Sequence, residues 1–276
     1  MASAAALMPW VSGAPLMAQG LTAPAAGAQP GSISRIVQAS LLPGWRTGDG
    51  RHMAALHLQL ADGWRTYWRV PGQAGIAPQL DWSASQNLAR LTAHWPLPEV
   101  FDQSGYRSIG YARELILPLE IEARRPGRPV ALVGALTIGL CHEVCIPADL
   151  QVSIVLRDDG QQDPRIAAAL ATVAEPAERA GLSGARCTLT PDERGASLTV
   201  RATLPRLGRA EHMVLELPGT GLWVSDTTTR REGGDLVATA RVMAPQRGAV
   251  AFGRNALALT IISPDRMVEH HGCTAR

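Results

Sequence analysis

From residue 32 onward, apolar and polar positions alternate with the two-residue period of strands that bury one face. Ile33, Arg35, Val37 and Ala39 fall on one side of a first predicted strand, and residues 52–60 (HMAALHLQL) give a second. Residues 63–72 (GWRTYWRVPG) read as an aromatic strand closed by a Pro-Gly turn, followed after a short loop by Gln79-Leu80-Asp81-Trp82. Residues 94–98 (HWPLP) make an extended edge, and residues 100–111 (VFDQSGYRSIGY) a polar, glycine-containing loop. The strand pattern resumes at residues 115–121, 130–140 and 150–156, which brings the stretch from 32 to 157 to about eight strands, enough for a β-sandwich. Asp163-Pro164 then opens an alanine-rich run. Asp as N-cap and Pro at the first helical position predict a short helix over 165–173, ended near Pro176. Alternation returns at 187–190, 197–204, 212–217, 221–225, 235–242 and 255–262, which predicts a second, smaller β domain.

The chain has 276 residues, 46% of them hydrophobic, enough for one large or two ordinary cores. Its 27 glycines and 20 prolines punctuate the pattern as turns between short strands. Five of the seven tryptophans lie between positions 45 and 95, and such a density of large rings predicts the core of the first domain rather than a ligand-stacking surface. A net charge of +2 with dispersed basic residues excludes the clustered footprint of a nucleic-acid binder. Every basic residue is arginine, so chemistry through a lysine Schiff base or nucleophile is excluded. Residues 1–31 are uncharged, small and apolar, like the apolar region and cleavage zone of a secretory signal, although without the usual positive start. No later stretch approaches 18 uninterrupted apolar residues, so the expectation is an exported, soluble protein that does not itself span a membrane.

The densest candidate chemistry is Cys141-His142-Glu143-Val144-Cys145-Ile146-Pro147. A straight strand would hold residues i and i+4 about 13 Å apart, whereas a disulfide needs Cα atoms roughly 4.4 to 6.8 Å apart. Pro147 and the β-branched neighbours argue against a helix, so the segment is expected to bend at a hairpin tip. The residues alone leave three readings open. Cys141 and Cys145 could be an exchanging dithiol, with His142 favouring and Glu143 opposing the thiolate. They could be a structural staple, a weak one because its loop is so short. With His142 they could also hold zinc or cuprous copper, for which a fourth ligand is missing. Cys187 and Cys273 are expected to pair as a structural disulfide; closing their long loop is worth about 4 to 5 kcal/mol on the chain-entropy expression. The rival for that end is a metal cluster of His270, His271 and Cys273 near a mobile terminus. His52, His57, His94 and His212 read as ordinary packed or solvated side chains.

Taken in order, GWRTYWRVPG at 63–72, PQLDW at 78–82, HWPLP at 94–98, IGY at 109–111, residues 115–119 and CxxxCIP at 141–147 resemble the N-terminal periplasmic domain of the DsbD thiol:disulfide interchange family, and more closely its ScsB-like branch. The resemblance covers about residues 32–157. It implies an immunoglobulin-like domain whose Cys141/Cys145 pair takes electrons from a membrane-embedded DsbD/CcdA-like donor and passes them to periplasmic disulfide-containing proteins, with no bound cofactor and no metal. It also implies a loop that caps the disulfide, placed by position at Phe101, Asp102, Gln103, Ser104, Gly105 and Tyr106. The family pattern has a Phe at the cap's tip, whereas Gln103-Ser104-Gly105 stands here, so Phe101 or Tyr106 would have to substitute. Tyr67 and Tyr111, in the matched motifs, join His142 and Glu143 as candidates that tune the site. The transmembrane conduit and thioredoxin-like domain of full-length family members are not in this sequence, and a separately encoded membrane partner is expected.

The expected organisation is all-β, with a leader over 1–31, an immunoglobulin-like redox domain over 32–160, a helical linker over 161–180 and a second immunoglobulin-like β-sandwich over 181–276. The alternative function is a non-catalytic periplasmic module that binds copper, zinc or a partner protein and carries a structural disulfide.

Overall fold

The computed structural model describes residues 1, 30–103, 105–157, 160–193, 195–245 and 250–275; most of the leader-like segment, and Ser104 of the expected cap, lie outside these. The first element is a short helix, α1 (Pro30–Ile36), where alternation predicts a strand. Ile33 and Ile36, three residues apart, both pack against the core, while Arg35 is exposed. Helical spacing puts the two isoleucines on one face; a strand would have placed Arg35 beside Ile33.

Ten strands follow: β1 (Val37–Arg46), β2 (His52–Leu60), β3 (Arg65–Gly72), β4 (Gln79–Asp81), β5 (Leu88–Ala93), β6 (Glu99–Gln103), β7 (Tyr106–Ala112), β8 (Glu114–Ala123), β9 (Val130–Cys141) and β10 (Cys145–Leu156). They form two antiparallel sheets, β1-β2-β8-β5 and β10-β9-β3-β7-β6, with β4 added against β9. Leu56, Leu58, Trp68, Leu117, Leu119, Leu136, Ile138 and Leu140 fill the space between the sheets. The stretch expected as a loop at 100–111 is therefore the β6–β7 hairpin, turned at Gly105 with φ +83°. It looks polar because Asp102 and Tyr106 face solvent, while Ile109 and Tyr111 on the same hairpin are buried.

The chain continues through α2 (Pro164–Leu170), where the Asp163 side chain accepts from the Arg165 N–H and Pro164 occupies the first position. This helix covers the outer face of the first sheet, with Ile166 fully buried among Leu42, Met53 and Ala55. With both its faces covered, β2 is buried at eight of its nine positions. The second half comprises β11 (Glu175–Pro176), β12 (Gly184–Asp192), β13 (Gly195–Thr203), β14 (His212–Glu216), β15 (Trp223–Val224), β16 (Thr228–Glu232), β17 (Asp235–Met243), β18 (Ala258–Ile262) and β19 (Met267–His271). Its sheets run β11-β19-β18-β14 and β12-β13-β17-β15, with β16 on β17. Residues 161–180 are thus not a simple helical linker. Helix α2 docks on the first half, β11 pairs in parallel with β19, and the 3-10 turn Ala177–Ala180 buries Ala177 in the second core.

The halves share packing and charge. Val214, Ile262 and Met267 of the second half belong to the buried cluster of the first. From β3, Arg69 stacks on Trp68 at 4.2 Å and donates to Glu216 (2.9 Å), Glu269 (2.7 Å) and Thr260 (3.1 Å). The Arg69, Glu216 and Glu269 side chains are only 22–26% exposed. Removing the cation strands two carboxylates in a poorly solvated place. Arg69→Met is expected to lower stability by about 2 to 4 kcal/mol in urea titration, somewhat below the range for fully buried pairs because these groups keep some water. Adding Glu216→Gln and Glu269→Gln should recover part of the loss; no recovery would mean that the charges are not its cause.

Candidate redox site

Strands β9 and β10 are a single antiparallel hairpin running in register from Leu156↔Val130 to Cys145↔Cys141. Residues 142–144 make its turn, with the His142 N–H donating to the Val144 carbonyl at 3.3 Å. That turn brings the cysteine Cα atoms to 4.0 Å, and the two are joined as a disulfide. Pro147 is tolerated because β10 is the edge strand of its sheet and pairs on one side only.

Opposite Pro147 stands Gly139. A Cβ there would meet the Tyr67 ring and Ile76 at 2.7 Å, and a Cβ on Gly75 would meet the other edge of the Tyr67 ring at 2.9 Å. The two glycines thus leave a slot for the Tyr67 ring, whose hydroxyl lies 3.1 Å from Cys145 Sγ and 3.5 Å from the Ala74 carbonyl. Burial raises the Tyr67 phenol above its ordinary range, against a smaller opposing effect of Arg65. It therefore keeps its proton at neutral pH and can donate to a thiolate on Cys145, which favours that thiolate. Gly75 and Gly139 were not singled out from the sequence. Gly139 carries a signal, a glycine inside a long apolar strand that marks close approach, whereas Gly75 lies in the loop between β3 and β4 and carries none.

Arg65 is in register with Cys141, and its guanidinium lies over the Phe101 ring, 4.4 Å from the centroid. Of the two aromatic cap candidates, Phe101 is half-buried beneath Arg65, whereas Tyr106 is 61% exposed. Asp102 faces solvent near Arg107, and Gln103 pairs with Tyr106 in the ladder. His142 packs on the Gly63 backbone, where a Cβ would meet its Nε2 at 2.6 Å, and tilts toward Trp64 at 5.7 Å. Glu143 and Val144 are exposed at the turn. Tyr111 belongs to the sandwich core, and its hydroxyl donates to the Pro96 carbonyl at 2.9 Å rather than to a sulfur. Burial holds its phenol well above the ordinary range, with Arg69 opposing.

The two sulfurs differ in access. Cys141 is buried at 9% exposure, while Cys145 is half-buried. The Cys145 sulfur is therefore the more accessible of the two.

Cys187 and Cys273 are also joined, with Cα atoms 5.7 Å apart. Around them the Cys187 N–H donates to the Thr274 carbonyl, and Arg186 bridges in parallel to Thr274. The terminus expected to be mobile is thus tied down. His270 is paired with Glu178 and His271 with Glu269, so the histidines of the rival metal cluster have other partners and its cysteine is oxidised. Among the described residues, no three His, Cys, Asp or Glu side chains converge as a metal-binding set.

Residues 38–156 match the family model described as thiol:disulfide interchange protein DsbD, N-terminal. No curated protein matches the chain in sequence. Among solved structures, the N-terminal periplasmic domain of ScsB from Proteus mirabilis superposes with a TM-score of 0.62 at 23% identity, covering 87% of this chain and 92% of that one. Such coverage exceeds the first half alone, so the likeness in fold extends into the second. Residues 38–156, with the paired cysteines at the tip of their last hairpin, are a DsbD N-terminal-like domain of immunoglobulin-like β-sandwich fold.

Proposed function

We propose that this protein is a periplasmic thiol-disulfide oxidoreductase that carries reducing equivalents on Cys141 and Cys145 from a membrane-embedded DsbD/CcdA-like donor to disulfide-containing proteins. The observation that carries this reading is the asymmetry of the pair: a half-buried Cys145 sulfur beside the Tyr67 hydroxyl, backed by a buried Cys141. A donor thiolate attacks Cys145 Sγ, the Cys141–Cys145 bond breaks, and Cys141 departs as a thiolate that takes up a proton. The donor's second thiol then attacks the mixed disulfide and releases Cys145 reduced. Two electrons and two protons have moved to this protein. In the outward step the Cys145 thiolate attacks a substrate disulfide, and Cys141 resolves the mixed disulfide, regenerating the starting pair. His142 and Glu143, on the exposed turn, stand where a partner would dock. Among the described residues no helix is long and apolar enough to cross a membrane.

The reduction potential of the Cys141–Cys145 pair, measured against glutathione or dithiothreitol, tests the reading. An exchanging pair is expected above about −300 mV, and a value below that, the range of structural disulfides, would overturn the proposal.

A further inference from the structure

Arg107, on β7, is the residue in which the second half meets the redox site. Its Nη1 donates to His212 Nδ1 at 3.2 Å and to the Thr227 carbonyl at 3.3 Å, and it faces Asp226 at 3.7 Å. His212 and Asp226 are almost fully buried, at 7% and 5% side-chain exposure. A guanidinium can only donate, so His212 Nδ1 must be the acceptor and Nε2 carries the hydrogen. That Nε2 lies within ion-pair distance of Asp226, at 3.3 Å, but makes no hydrogen bond. The Arg107 backbone works in the opposite direction: its carbonyl accepts from the Gln73 N–H at 2.9 Å and the Ala74 N–H at 3.4 Å. Ala74 in turn presents its carbonyl 3.5 Å from the Tyr67 hydroxyl and 4.0 Å from Cys145 Sγ. On the neighbouring strand, Asp102 lies 3.6 Å from Arg107 Nε, one residue beyond the Phe101 that supports Arg65.

We propose that Arg107 is a positioning residue of the redox site, holding the 73–74 turn against Cys145 and the β6–β7 hairpin beside Arg65 while His212, Asp226 and Thr227 of the second half clasp its guanidinium. The second half then serves the site by setting access to the sulfurs. This rests on the exchange reading of the cysteine pair, but its test needs no protein partner and so fails separately from that reading.

The test uses the full chain and a water-soluble trialkylphosphine. The phosphine attacks a disulfide sulfur, the S–S bond breaks, and water converts the thiophosphonium to phosphine oxide, leaving two thiols; phosphorus is oxidised as the disulfide is reduced. Timed alkylation and mass spectrometry follow each disulfide separately. Arg107→Met and His212→Leu are expected to speed reduction of Cys141–Cys145 about tenfold, the effect of losing about 1.4 kcal/mol of hold from a charged hydrogen bond. Reduction of Cys187–Cys273 should keep its rate. His212→Asn, whose amide oxygen can take the place of Nδ1 as acceptor, should stay near wild type. The proposal is overturned if Cys141–Cys145 in Arg107→Met is reduced at the wild-type rate, or if both disulfides accelerate together, which would be general loosening. An Asn variant as fast as the Leu variant would also overturn it. Should His212→Leu not fold, Arg107→Met, at a side chain that is 31% exposed, decides alone.

Discussion

Cys141→Ser is expected to accumulate mixed disulfides with its partner proteins, and Cys145→Ser is expected to form none. With Cys141 replaced, the accessible Cys145 can still attack a substrate disulfide, its thiolate favoured by the Tyr67 hydroxyl. No second thiol remains to resolve the product, so the complex persists through non-reducing electrophoresis. With Cys145 replaced, the remaining thiol is the buried Cys141, which a folded partner cannot reach. Turnover in a coupled protein-reduction assay should fall to background in both variants, because each half-reaction needs both sulfurs. Trapping by Cys145→Ser alone would reverse the roles of the two cysteines. Trapping by neither, with both variants folded, would remove the exchange function.

The second large effect lies away from this chemistry. Replacing Cys187 and Cys273 together by serine is expected to lower stability by about 4.6 kcal/mol on the chain-entropy expression, read as a shift of the urea midpoint. The two cysteines are 86 residues apart in sequence, and the bond ties β12 of one sheet to the segment following β19 of the other. The same expression gives only about 2 kcal/mol for the short Cys141–Cys145 loop. Loss of the long-range bond should therefore cost about twice as much stability as loss of the Cys141–Cys145 bond, while leaving the phosphine reactivity of Cys141–Cys145 unchanged. A loss below about 1 kcal/mol would show that the two sheets of the second half are held together without it.

Much of the first half could be read from the sequence, because its strands alternate on a two-residue period and its site is a local motif. The bend between Cys141 and Cys145 was legible, because a straight strand would hold them too far apart for a disulfide and Pro147 argues against a helix. The Trp-rich stretch proved to be core: Trp68 is fully buried, and Trp64, Trp82 and Trp95 pack around it. What escaped depends on contacts distant in sequence. β16 (TTRRE) carries no hydrophobic pattern, because its ladder to β17 and the Arg231–Glu211 and Arg201–Glu232 pairs hold it in place. β19 (MVEHH) looks like a polar tail, yet it lies between β11 and β18. The slot for Tyr67 is made by the absence of side chains at Gly75 and Gly139, and the Arg107 clasp joins residues more than a hundred positions apart. Neither leaves a periodic trace. α1 shows the opposite failure, in which alternation over a few residues imitated a strand.

The register of the β9–β10 hairpin bears on what reduction of the Cys141–Cys145 bond would do to the fold. Twelve residue pairs hold the two strands together, and the disulfide closes only the last of them. Breaking the S–S bond thus leaves the ladder intact, and the sulfurs separate by side-chain rotation rather than by loss of structure. On the proposed function, the oxidised and reduced forms would present nearly the same surface, leaving a partner little besides the two sulfur atoms by which to tell them apart. On the proposed function, the carrier would then be almost rigid, and release of a partner would come from the chemistry of the bond exchanged rather than from a change of shape.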